Sequence, residues 1–399
     1  MIPSSNRSTA TASASPVVTA RELAGELTKH AQTNEAERRL PGELIELLRK
    51  SGLIGLLVPR KLGGLGASIP EAIDAWQELV RADASTGWVM VVYSANVGIA
   101  AAHCTPEARS VLFPGLEIPI IAGMLAPMGK AVSTGNGYRG SGHFGFGSGI
   151  ADANWTWSGM LVMEEGKPRT LPNGQPEVRV FLIPQREVQI LDNWFVMGLK
   201  GTGSFDYLIA DKYVAESFTF DRSTILPVEG GAIGHIGIIG MGCVGHSSIP
   251  LGIMQRALEE VAKIAKVKKR PGYSSVLAND PVFRHEFALK EALYQSACTQ
   301  VRTVFGNAER KILDGHPLDP IDRQRFRQLV VWVHRVGEEV VLFCYRWAGT
   351  NALREPSDLG RCVRDMLAAT QHMYVDPIGL VESGGTIIES YAGQDITAI

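Results

Sequence analysis

The sequence predicts an α+β fold in which helices come first, strands follow in one block, and long helices close the chain. Three observations carry that expectation. Apolar residues recur at three- and four-residue spacing between Thr19 and Pro106, as in Leu23, Leu27 and the run Leu44 to Leu48. Between Glu117 and Phe220 glycine is frequent, and short β-branched or aromatic runs are separated by turn residues. From Ile233 to Met373 helical periodicity returns. Segregation of this kind points away from the strand–helix alternation of a doubly wound sheet. The expected units are a disordered tail over 1–18, an N-terminal helical domain over 19–116, a central antiparallel β domain over 117–225 and a C-terminal four-helix bundle over 226–399.

Each unit has its own punctuation. Pro41 and Gly52 bracket the second helix, and Gly63-Gly64-Leu65-Gly66 reads as a loop. Gly87 to Ala102 is apolar almost all round, which predicts a buried helix. In the middle block Trp155-Thr156-Trp157, Val178 to Ile183 and Val188 to Leu191 read as strands of a small barrel or sandwich, with a turn at Pro172-Asn173-Gly174. Beyond Ile233, prolines near 271–281, 320 and 356 divide four or more helices.

Composition excludes several classes. Of 399 residues 45% are hydrophobic and 20% charged, which fits a packed globular chain. A net charge of −2 gives no general pull toward nucleic acid or an anionic membrane. Cys104, Cys243, Cys298, Cys344 and Cys362 are scattered without metal-ligand spacing, so no metal site is expected and a reducing cytoplasm is. No apolar run reaches the ~20 residues of a membrane span. The Ser/Thr-rich first twenty residues lack the apolar stretch of a secretory signal, and only a weak transit-peptide reading remains. The basic run Lys266, Lys268, Lys269, Arg270 suits the solvated end of a helix, with a contact to a phosphate-bearing ligand as the alternative.

Gly240-Met-Gly242-Cys-Val-Gly245 matches the dinucleotide fingerprint G-x-G-x-x-G. That fingerprint needs a following second strand ending in an acidic residue. Here Met254, Leu258, Val261 and Ile264 continue a helix instead, so the glycines are expected to permit close helix packing.

Five segments, in order and at consistent spacing, resemble the acyl-CoA dehydrogenase superfamily. They are Leu53 to Gly66, Asp83-Ala-Ser-Thr-Gly-Trp-Val89, Gly123 to Gly149, Trp194-Phe-Val-Met-Gly-Leu-Lys-Gly-Thr-Gly-Ser204 and Arg361 to His372. The fourth resembles W-x-x-x-G-x-K/R-G-T-G-S and the fifth R-D-x-x-A-x-x-Q-H. Both mark the flavin-dependent monooxygenase branch, which includes the oxygenase components of p-hydroxyphenylacetate hydroxylase and dibenzothiophene monooxygenase. The resemblance covers nearly all of the chain after the tail. It implies an acyl-CoA dehydrogenase-like architecture, usually homotetrameric, with reduced FMN or FAD between the β domain and the bundle.

The same resemblance assigns candidate residues. Ser148 would set its hydroxyl near flavin N5, although a serine between two glycines also suits a plain turn. His372 stands within about a residue of the catalytic Glu of the dehydrogenases; by position alone it could be a polar helix cap. An imidazole there suits deprotonation of a phenol-like substrate or guidance of a hydroperoxide oxygen better than abstraction of a thioester α-proton. Asp365 and Asp376 could share its helix face. Trp194 and Ser204 would line the flavin, with a core aromatic and a strand-end serine as the alternatives. Arg256 and Arg284 would reach a flavin phosphate, in this or a neighbouring subunit, unless engaged in surface ion pairs, and Gly349 would form a bend beside the flavin. Tyr93, Asn96, Gly123 and Phe146 would surround the substrate; hydroxylases of the branch often carry a second His near the stretch that here holds Tyr93 and Asn96.

The implied function is the oxygenase component of a two-component flavin-dependent monooxygenase. O₂ and reduced flavin would form a C4a-hydroperoxide that oxygenates a small aromatic or heteroaromatic substrate, with a carbon, nitrogen or sulfur target left open. The absence of a nicotinamide-binding fold implies a separate NAD(P)H-dependent flavin reductase. Two alternatives stand beside it: an acyl-CoA dehydrogenase or oxidase with Glu382 or Glu389 as base, and a non-catalytic scaffold.

Overall fold

The structure, a computed structural model, describes residues 15–223, 227–228, 231–272 and 274–393. Residues 1–14 of the expected tail lie outside the described residues. The first helix already begins within that expected tail, at Pro16, which occupies a first-turn position suited to proline.

The N-terminal unit comprises α1 (Pro16–Glu37), α2 (Gly42–Lys50), α3 (Ile69–Ala82), α4 (Ala84–His103) and α5 (Pro106–Leu112). Ser68 caps α3 through a reciprocal exchange with Glu71, and the Asp83 carboxylate caps α4 by accepting from Thr86 N at 2.9 Å. Nineteen of the twenty residues of α4 are buried, as an all-apolar helix requires.

The β unit contains β1 (Ile121–Ser133), β2 (Gly137–Gly147), β3 (Trp155–Glu164), β4 (Lys167–Pro168), β5 (Val178–Pro184), β6 (Gln189–Ile190), β7 (Phe205–Ala215) and β8 (Thr219–Asp221). They form one sheet in the order β6-β7-β2-β1-β3-β5-β8, with β4 paired to β3. The sheet is mixed, where a wholly antiparallel one was expected, because β1 and β3 run parallel. Their starts are pinned together: Ile120 N donates to the Asn154 side chain at 2.9 Å, and Asn154 N returns a bond to Ile120 O at 2.9 Å. Sequence periodicity does not report strand direction, which is set by this crossover.

The C-terminal unit holds α6 (Ala232–Val267), α7 (Pro281–Leu313), α8 (Pro320–Ala348), α9 (Asp358–Ala369) and α10 (Ile378–Ala392). Among the described residues it is therefore three long helices completed by two shorter ones. α7 and α8 start as their sequences suggest, with Pro at the first position behind Asp280 and Asp319.

α4 is the hub. On one side Tyr93 Oη donates to Gly149 O at 2.7 Å and Asn96 Nδ2 donates to Ile121 O at 3.1 Å, tying it to the sheet. On the other it packs on α6. The expectation that no apolar run is long enough for a membrane span needs correction, since α4 and α6 both have the length and composition for one. They are 94% and 89% buried over their most apolar stretches, so that hydrophobicity is already covered by protein.

All three glycines of the dinucleotide-like motif lie inside α6. A Cβ on Gly245 would stand 2.6 Å from Val91 of α4, and one on Gly242 would stand 2.4 Å from the Tyr374 ring. They permit close packing inside a helix, as expected. Gly242→Ala should destabilise the chain by about 1–3 kcal/mol, the usual cost of overfilling a packed core. Denaturant unfolding measures it, and an unchanged midpoint would contradict this packing account.

Candidate active site

Three units of chain meet at the indole of Trp88, in the second turn of α4. Its Nε1 donates to Ser148 Oγ at 3.1 Å, just past the end of β2. The ring meets His372 edge-on at 5.8 Å between centroids and His246, from α6, at 4.9 Å. Ser148 and His372, 224 residues apart, thus share one neighbour.

The serine side is a run of hydroxyls. Ser148 Oγ lies 2.7 Å from Ser204 Oγ, and Ser204 Oγ lies 2.7 Å from Thr202 Oγ1. Both partners sit in the loop after Trp194, which is wedged against the helices. A Cβ on Gly198 would stand 2.0 Å from the Arg364 carbonyl oxygen, so only glycine allows that approach. Leu199 takes a left-handed φ of 52° and donates its N–H to the buried Asp365 carboxylate at 2.6 Å. Burial pushes Asp365 up to about 7 against that N–H, and Asp83 and Glu35 add to the rise. Asp365 therefore anchors the loop and does not touch His372. Asp376 caps the next helix by accepting from Ile378 N at 2.8 Å.

The histidine side was only half legible. His246 stacks on His372 at 3.7 Å with planes 25° apart, and Tyr374 lies 5.1 Å from His372 and 5.4 Å from His246. The second imidazole thus comes from α6, directly after the dinucleotide-like motif, where attention to the glycines hid it. His334 of α8 is buried nearby and donates from Nδ1 to Val330 O at 2.7 Å. Burial lowers all three: His372 to about 3, with His334 adding; His334 to about 4; and His246 well below the ordinary imidazole range, with His372 and His334 adding. All are neutral near pH 7. Tyr374 N donates to His372 Nδ1 at 3.3 Å, so the neutral ring carries its hydrogen on Nε2. In that tautomer Nε2 offers a hydrogen to an oxygen atom. Of the two roles the sequence offered, that suits guidance of an oxygen atom better than deprotonation of a phenol.

The remaining candidates divide. Trp194 is half-buried, donates from Nε1 to Lys200 O at 3.0 Å, and meets the 65%-exposed Phe146 edge-on at 6.2 Å. Phe146 holds φ at 61°, a strained conformation for a bulky residue, and it lies two residues before Ser148. Tyr93, Asn96 and Gly123 are supports where pocket walls were expected. Tyr93 is fully buried against Gly149, Asn96 clamps β1, and a Cβ on Gly123 would stand 2.3 Å from Trp157 O. Arg256 is committed to Asp358 at 2.6 Å and Glu260 at 3.2 Å, while Arg284 folds back onto Ala278 O at 2.6 Å and Asn279 at 2.8 Å. Neither arginine joins the Trp88 cluster, because nearby acceptors already satisfy it. Gly349 instead lines a cavity of about 630 Å³ with Lys268, Lys269, Arg270, Arg346 and Trp347. Arg270 lies over the Trp347 ring at 4.2 Å. The basic run is thus both a helix end and one wall of a cationic hollow. Glu382 is exposed on α10 and paired with Arg327 at 3.1 Å, and Glu389 lies two turns farther along that helix.

Comparison with known proteins fits this layout. The pattern of the acyl-CoA dehydrogenase N-terminal domain matches residues 17–116, and that of the acyl-CoA dehydrogenase C-terminal domain matches residues 244–377. The chain belongs to the acyl-CoA dehydrogenase family. Within this family it is 25% identical to indole-3-acetate monooxygenase of Pseudomonas putida over 351 residues, covering 88% of this chain and 87% of that one. Over 195 residues it is 33% identical to HsaA of Mycobacterium tuberculosis, the oxygenase subunit of a flavin-dependent monooxygenase; that match covers 48% of this chain and 47% of HsaA. The crystal structure of HsaA superposes with a TM-score of 0.85 at 23% identity, covering 96% and 97% of the two chains. Dibenzothiophene monooxygenase TdsC of Paenibacillus, solved with FMN and indole, gives 0.79 at 22% identity, covering 94% and 97%.

The neutral histidines have a consequence for stability. Their pKa values are lower folded than unfolded, so below about pH 6.5 the unfolded chain binds more protons and stability falls. For His334 the loss runs from about pH 6.5 down to its folded value of about 4. His334→Leu should flatten the decline in unfolding free energy by up to about 1.4 kcal/mol per pH unit in that window. Denaturation curves between pH 7 and 4.5 check it, and an unaltered slope would contradict the assignment.

Proposed function

We propose that this chain is the oxygenase component of a two-component flavin-dependent monooxygenase acting on a small aromatic or heteroaromatic substrate. The observation that carries the reading is the meeting of Ser148 with a pair of neutral imidazoles, His246 and His372, around Trp88. A dehydrogenase needs a carboxylate base at the place where His372 stands, and Glu382 and Glu389 lie on another helix.

The residues present suit a flavin. Ser148 offers a hydrogen-bonding oxygen and Trp194 offers an aromatic edge for a planar ring. HsaA is by name the oxygenase subunit of a flavin-dependent monooxygenase and TdsC has been solved with FMN and indole, which supports reduced FMN or FAD here. Reduced flavin, when bound, supplies the two electrons that split O₂, one oxygen atom entering the substrate and the other leaving as water. The protein's own tasks are to exclude water, to hold the flavin edge at Ser148, and to fix an oxygen atom by the Nε2 hydrogen of His372. Phe146 would border the substrate.

A separate NAD(P)H-dependent reductase would supply the reduced flavin. The apolar side chains exposed along α10, Val381, Ile388 and Tyr391, favour a homotetramer in which other copies cover them. Five free, buried thiols suit the cytoplasm.

Purified chain given reduced flavin, O₂ and either indole, indole-3-acetate or simple phenols should form an oxygenated product. Hydrogen peroxide alone from every substrate would overturn the proposal, and bleaching of bound FAD by an acyl-CoA would favour the dehydrogenase. His372→Ala should lower product yield about 100-fold while flavin oxidation continues as peroxide. His372→Gln, which keeps an N–H donor, should stay within about tenfold of the parent. Equal losses in both variants would contradict the donor role.

A further inference from the structure

We infer that Thr202 and Ser204 lock the Ser148 hydroxyl as a hydrogen-bond acceptor, and that this lock makes the site discriminate reduced from oxidised flavin. The inference rests on the proposed flavin site, but the lock itself follows from counting hydrogens.

Three hydroxyl groups make three contacts that need a hydroxyl hydrogen. Thr202 Oγ1 lies 2.9 Å from Leu199 O, Ser204 Oγ lies 2.7 Å from Thr202 Oγ1, and Ser148 Oγ lies 2.7 Å from Ser204 Oγ. A carbonyl oxygen only accepts, so Thr202 must donate to Leu199. Thr202 has then no hydrogen left, and Ser204 must donate to it. Ser204 is in turn used, and Ser148 must donate to Ser204. All three contacts are satisfied in this one direction and in no other. The indole N–H of Trp88 adds a fourth bond pointing into Ser148 Oγ at 3.1 Å.

Ser148 therefore has its hydrogen directed inward and one lone pair left for anything docked against it. The group is buried at 8% exposure, and Ser204 and Thr202 are more buried still, so water does not readily reset the direction. The sink of the chain is fixed too. The peptide of Leu199 is held from its other side by its own N–H to Asp365, and a second donor, Thr202 N, also points at Leu199 O at 3.1 Å. Thr202 and Ser204 act through Ser148, so they are positioning residues.

Reduced flavin carries a hydrogen on ring nitrogen N5, whereas oxidised flavin presents a lone pair there. A hydroxyl restricted to accepting pairs with the first and opposes the second. The oxidised ring would be released after turnover for the same reason that the reduced ring is held.

The test compares two affinities on one protein, so a general packing defect divides out. Dissociation constants for reduced flavin (anaerobic titration) and oxidised flavin are measured for the parent, Thr202→Val, Thr202→Ser and Ser204→Ala. Thr202→Val keeps the shape but removes the hydrogen that fixes the direction. Ser204 is then free to donate to Ser148, and Ser148 to turn its hydrogen toward N5. The ratio of oxidised to reduced dissociation constants should fall about three- to tenfold in Thr202→Val and in Ser204→Ala. It should hold at the parental value in Thr202→Ser. A ratio unchanged in both Thr202→Val and Ser204→Ala would overturn the lock while leaving the flavin site intact. Failure of the parent to bind either form would instead overturn the proposed function on which the lock rests.

Discussion

The indole N–H of Trp88 crosses from a buried helix to the hydroxyl of Ser148, and the candidate site exists only while that contact holds. One residue thereby joins α4 to the end of β2, and its ring edges position the imidazoles of α6 and of the segment after α9. Both polar atoms are enclosed, so losing the Ser148 hydroxyl would leave the indole N–H unsatisfied at a cost of about 1–3 kcal/mol, while Ser148 keeps its bond to Ser204 if the indole is lost. The supports behind it act in the same direction. Tyr93 holds Gly149, the neighbour of Ser148, and Asn96 holds the start of β1. The sheet is thus registered against α4 by three side chains of a single helix.

The electrostatic character of the place follows from burial. Two stacked imidazoles 3.7 Å apart cannot both be charged in so enclosed a setting, and His334 nearby reinforces their neutrality. A site held neutral, aromatic and rich in directed hydroxyls suits transfer of an oxygen atom to an apolar ring. It suits poorly the carboxylate chemistry of the dehydrogenases in the same family. Charged pairs are kept one layer out: Arg361 and Arg364 pair with Glu35, while Asp365 holds Leu199 N in the loop that carries Thr202 and Ser204.

Local pattern made the helix–sheet–helix order legible, along with the buried character of α4 and the packing role of the α6 glycines. Each depends on residues close in sequence. The direction of β3 did not show, because parallel pairing with β1 is fixed by the Asn154–Ile120 contact and not by periodicity. At the site, Ser148, Ser204, Trp194 and His372 stood in recognisable motifs. His246 and Thr202 did not stand out: one follows a motif that suggested another use, and the other is a small polar residue whose importance comes from a carbonyl three positions earlier. Arg256 and Arg284 take the ion-pair and backbone contacts that the sequence offered as the alternative: Glu260 is one helical turn from Arg256, whereas Asp358 is brought to it only by the fold.

The most direct measurement is an experimental structure of the chain loaded anaerobically with reduced flavin. The account predicts the isoalloxazine edge within hydrogen-bonding distance of Ser148 Oγ, on the same side of Trp88 as His372. A flavin ring seated elsewhere, with Ser148 and His372 both out of its reach, would contradict it.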